Sequence, residues 1–211
     1  MLRSRAGLTL LILVIGSSLG AAATTKPAGV SVTQKPAKVT TRTFNPKNPP
    51  TDMPPLRGNE AAVTQSKFAC AVAIGVQVSQ QGDNKPTMTI TDIKAELSLE
   101  IVIWLPTDAT AKIRAHEDAH RQIAELFYKE AEAIATKIAA RYIGKKLDIT
   151  SIDENHTRPI IQRIGNEFCG EYLGATEVPS EKVQKRFDEL TDHGRNRLSE
   201  KEAIRRAMAG K

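Results

Sequence analysis

The chain has 211 residues, 40% hydrophobic and 26% charged, with a formal net charge of +6. That is the composition of one ordinary globular domain plus some unpacked sequence, and it excludes a membrane bundle. The excess charge is unevenly placed: between residues 24 and 58, Lys26, Lys35, Lys38, Arg42, Lys47 and Arg57 stand against Asp52 alone, so the rest of the chain is close to neutral. A nucleic-acid reader would crowd its basic residues on the folded part, so no nucleic-acid partner is expected.

The N-terminus, MLRSRAGLTLLILVIGSSLGAAATT, places Arg3 and Arg5 before an apolar run and small residues after it. This is the pattern of a cleaved signal peptide over 1–23, which predicts a periplasmic or secreted protein. The run is shorter than the roughly 20 apolar residues a spanning helix needs, so no stable membrane insertion is expected after cleavage.

Residues 24–58 hold seven of the eleven prolines among Thr, Lys and Asn, and read as a semi-rigid linker. The folded domain is expected over 59–211. It opens with Phe68, Cys70, Val72, Ile74, Val76 and Val78 at every second position, the period of a half-buried strand. Turn residues at 80–86 lead to a second alternation, Ile93 to Leu105, and the pair predicts an antiparallel hairpin or meander.

Leu105-Pro106 ends that strand, and Thr107 or Asp108 can cap a helix over about 109–142, stopping before Gly144. Further helices are predicted at about 159–173 and 180–190, and Ser199 with Glu202 forms a capping-box pattern before a last one. The whole reads as α+β: antiparallel strands packed against one long helix, with C-terminal helices beyond.

Cys70 and Cys169 are the only cysteines, and export would take both to an oxidising compartment. A disulfide between them is expected, two buried thiols being the alternative.

The long helix carries A-H-E-D-A-H, an HExxH pattern at His116, Glu117 and His120. Residues four apart lie one turn apart on one helix face, close enough for two imidazoles to hold one Zn²⁺. Glu117 beside them is placed to act as general base toward a water that the metal activates. Against this stands the bland reading of two core histidines satisfied by hydrogen bonds.

A catalytic zinc needs a third protein ligand. Ile123 and Leu126 stand where the extended HExxHxxGxxH pattern needs Gly and His, and no Glu occurs between Glu132 and Glu154. His156, Glu154, Glu167, Glu171 and His193 remain; a helix-capping role for His193 is as consistent with its surroundings as ligation.

The ordered set Cys70, Leu105-Pro106, His116-Glu117-His120, Cys169 and Thr191-Asp192-His193-Gly194 resembles a bacterial family of secreted zinc-dependent proteases, a zincin-type domain of unknown function. The resemblance spans about 68–194. It implies a zincin-like fold, a Cys70–Cys169 disulfide, His193 as the third ligand, and a peptide or protein substrate. Two rivals accompany it: a non-catalytic envelope protein with a structural zinc or none, and an amidase acting on cell-wall peptides.

Overall fold

The computed structural model describes residues 29–56, 58, 60–81 and 85–210. The expected leader at 1–23 lies outside them. In chain order the elements are β1 (Val30–Gln34), β2 (Lys38–Phe44), β3 (Val63–Ser79), β4 (Thr87–Pro106), α1 (Ala111–Tyr128), α2 (Ala131–Ala140), β5 (Lys146–Asp148), α3 (Glu154–Thr191) and α4 (Glu200–Met208).

The two alternating runs form strands as their period requires. Phe68, Cys70, Val72 and Ile74 of β3 are buried, as are Met88, Ile90, Ile93, Ala95, Leu97, Leu99, Ile101 and Ile103 of β4. Every other strand pairs with β4. β1 runs parallel to it from Val30↔Ile93 to Gln34↔Leu97, and β2 runs parallel from Lys38↔Glu100 to Phe44↔Pro106. β5 adds a short antiparallel rung at Thr87–Thr89.

This overturns the expected antiparallel α+β, zincin-like layout: the sheet is mostly parallel and the fold is α/β. It also shows that the stretch expected as a linker, 24–58, contributes two strands. Hydrophobic alternation missed them because it reports burial. VSVTQ and KVTTRTF are instead rich in β-branched Val and Thr, which suit a pleated surface even where it stays half exposed.

Contacts group the residues into two compact units. The first takes the described residues up to Lys35, with Ala69–Leu97 and Ala131–Leu173. In it the expected disulfide joins Cys70 of β3 to Cys169 of α3, both buried, with Cα atoms 5.6 Å apart. α2 lies against β1, where the Glu132 amide donates to Gln34 Oε1 at 3.0 Å.

The second unit takes Pro36–Phe68, Ser98–Glu130 and Gly174–Lys211. In it α1 buries Ala119, Ile123, Ala124, Phe127 and Tyr128, the last meeting Phe68 edge-on at 6.1 Å, and α4 packs on α1. Thr110, rather than Thr107 or Asp108, caps α1 by accepting from the Ile113 amide at 3.3 Å. Ser199 caps α4 as its motif predicts.

Two helix expectations change. The helix expected over 109–142 is interrupted at Lys129–Glu130, where neither glycine nor proline gives a signal. The two expected at 159–173 and 180–190 are one helix that continues through Gly174 and Pro179. Among the described residues no helix is long and apolar enough to cross a membrane.

Candidate metal centre

The apolar stripe of α1 turns His116 and His120 inward, leaving them 6% and 8% exposed. The second unit closes over them with the last turns of α3. Gln184, Phe187, Asp188 and Thr191 recur at helical spacing, so they share one face. Phe187 stacks on the His116 ring and meets the His120 ring edge-on, which fixes the two imidazoles nearly perpendicular to each other.

Three ligand atoms converge there. His120 Nε2 is 3.3 Å from His116 Nε2 and 2.9 Å from Asp188 Oδ1, and His116 Nε2 is 3.2 Å from the same oxygen. Ligands about 2.0–2.1 Å from a tetrahedral zinc stand about 3.3–3.4 Å apart, so the triangle is within a few tenths of an ångström of one face of such a site.

The surrounding hydrogen bonds prepare His120 for this. Gln184 Nε2 donates to Ser66 Oγ at 3.1 Å, which turns its Oε1 toward His120 Nδ1 at 2.9 Å. With Nδ1–H donating to Gln184, a neutral His120 presents its lone pair at Nε2, the tautomer a metal requires. The convergent atoms then include a carboxylate and an imidazole acceptor in a buried place, an arrangement that calls for a proton or a cation.

The titration behaviour has the same origin. Burial opposes the charged form of His120, but the Asp188 hydrogen bond and charge outweigh it and raise the imidazole's pKa. Burial also opposes ionisation of Asp188, yet the hydrogen bonds from His116 and His120 hold its carboxyl well below the usual range.

Glu117 is 5% exposed. Its pKa is raised by burial, against the lowering effects of His120 and of Thr64, whose hydroxyl donates to Oε2 at 2.8 Å. Asp118 faces elsewhere: Arg121 Nε donates to it at 2.7 Å and holds its pKa down. His116 Nδ1 is buried without a hydrogen-bond partner among the described residues.

His193, the residue implied as third ligand, stands outside the triangle, whose third corner is Asp188. Its Nδ1 is 4.0 Å from Asp188 Oδ1 and 3.8 Å from Glu60 Oε1, and its side chain is 40% exposed. The end of α3 explains the placement. The His193 amide donates to the Asp188 carbonyl at 3.0 Å, closing a Schellman-type turn. Asp192, His193 and Gly194 all adopt positive φ (50°, 52° and 78°).

The other ligand candidates belong to the first unit. Glu167 and Glu154 pair with Arg163 and Arg158, Glu171 pairs with Arg141 and Tyr142, and His156 is exposed. Sequence reasoning missed Asp188 because no fixed spacing links it to HExxH. The face Gln184/Phe187/Asp188/Thr191 was the available signal, since Asp188 is its one residue able to bind a metal strongly.

No protein-family model, curated protein or solved structure matches the chain. The family resemblance therefore rests on the residues quoted for it.

Proposed function

We propose that the protein is an exported zinc-dependent peptidase in which His116, His120 and Asp188 hold the metal and Glu117 is the general base. The observation that carries this reading is the 2.9–3.3 Å triangle of two imidazole nitrogens and a carboxylate oxygen, with a buried glutamate at the adjacent helix position. Export is supported by the leader-like N-terminus and by a disulfide, which suits an oxidising compartment.

Zinc, when bound at such a site, polarises a carbonyl and lowers the pKa of water toward about 7. The chain's own residues do the rest. Glu117 takes a proton from the attacking water at its carboxylate and returns it to the leaving amine, and its raised pKa brings it nearer the working pH. Thr64 holds the carboxylate in one orientation. Gln184 fixes the His120 ring, and Phe187 excludes water behind both imidazoles.

The test joins metal content to activity. Protein purified without chelator should carry about one zinc per chain, and Glu117→Gln should keep the zinc while losing hydrolysis of casein and model peptides. A parent that takes up no zinc even when it is supplied, or a Glu117→Gln variant as active as the parent, removes the reading.

A second reading is favoured by His193 lying 4.0 Å from Asp188. A small shift would make it a fourth ligand and the site a closed structural one. Unfolding on chelation, restored by zinc but accompanied by no hydrolysis, would support that alternative.

A further inference from the structure

The proline-rich loop after β2 folds against the end of β4 and the start of α1, and together they line an open pocket of about 550 Å³. Its walls are mainly apolar, among them Phe44, Pro49, Pro50, Met53, Pro54 and Ile113. Prolines have φ already fixed, so this wall needs little ordering when a ligand arrives.

The cavity adjoins the metal centre by two routes. Ile113 stands one helical turn before His116, on the same face of α1. Glu60, also in the lining, has Oε1 3.8 Å from His193 Nδ1, which is 4.0 Å from Asp188 Oδ1.

We propose that this cavity is the specificity pocket, seating an aromatic or long aliphatic side chain of a peptide substrate beside the bond cleaved at His116, His120 and Asp188. The inference rests on the peptidase reading. The volume falls within the range of about 300–1,000 Å³ for ligand sites and exceeds what one side chain fills, so adjoining backbone enters too. The apolar walls offer little to a sugar or a phosphate. A bulky apolar side chain leaving water there gains in proportion to the area it buries.

The test uses binding and cleavage together. Glu117→Gln protein, with one equivalent of zinc, is titrated calorimetrically with the capped tetrapeptide Gly-Gly-Phe-Ala and with Gly-Gly-Ala-Ala. The titration is repeated after adding Ala61→Phe, which fills the cavity from an exposed position, and separately after adding Ile113→Trp. The parent is assayed for cleavage of both peptides.

The phenylalanine peptide should bind at least tenfold more tightly, and both filling variants should erase that preference without changing zinc content. Equal binding, no binding of either peptide, or a preference that survives both variants overturns the pocket. Selective binding erased by the fillings, with no cleavage by the parent, sustains the pocket and overturns the peptidase reading. Cleavage of both peptides without preference does the reverse.

Discussion

Gly194 lies directly against the ring of His116: a Cβ at position 194 would stand 3.0 Å from His116 Cγ and 3.2 Å from Nδ1. Its φ of +78° is also one that other residues adopt at a cost. Gly194→Ala should therefore destabilise the fold by about 1–2 kcal/mol from the backbone alone. It should also weaken zinc binding at least tenfold by displacing the ring. Asparagine tolerates this φ but keeps the Cβ, so Gly194→Asn should recover stability in urea and not zinc affinity, as measured by chelator competition.

The proposed third ligand, Asp188, is separable from its neighbours by substitution. Asp188→Asn preserves shape and removes charge, and should lower zinc affinity more than a hundredfold. Gln184→Leu acts through the orientation of His120 and should cost about tenfold to a hundredfold. His193→Ala should cost less than either. Should it cost as much as Asp188→Asn, His193 belongs among the ligands.

The pH dependence of the metal-free protein has a definite sign. The His120 pKa is raised, so its contribution is complete below the unfolded value of about 6.5 and is lost as pH rises through the folded one. The Asp188 pKa is lowered, so its contribution is complete above about 3.9 and is lost in acid. The melting-temperature difference between chelated parent and chelated Asp188→Asn should therefore be larger at pH about 5.5 than at about 8. Zinc held as proposed would compete with the proton on His120, so stabilisation by zinc should grow over the same rise. A chelated difference that is flat with pH would contradict the assignment.

The disulfide closes a sequence separation of 99 residues. In the chain-entropy model a loop of that size is worth about 4–5 kcal/mol. Cys70→Ser combined with Cys169→Ser should lower the unfolding free energy in urea by several kcal/mol. Reduction of the parent should give a similar loss.

What could be read from the sequence followed where burial left a period. Phe68 to Ile74 and Ile93 to Leu105 alternate because one face of each strand is core, and His116 and His120 shared a helical stripe, so the strands and the site's first two residues were visible. β1 and β2 were not, since Thr40, Thr41 and Thr43 are chosen for backbone shape and carry no apolar code. The two helices expected at about 159–173 and 180–190 were one, because α3 runs unbroken through Gly174 and Pro179. Asp188 was hidden by distance along the chain: 68 residues separate it from His120, and only the folded α3 brings them together.

The parallel pairing of β1 and β2 with β4 bears on where the chain can be shortened. Composition suggests a start at residue 59, but that cut would strip Ile93–Leu97 and Glu100–Pro106 of their partners. A row of open backbone donors and acceptors would then invite pairing with another copy. The proline-rich stretch is a fastening rather than a tether, and a protease that nicked it would release a molecule prone to self-association.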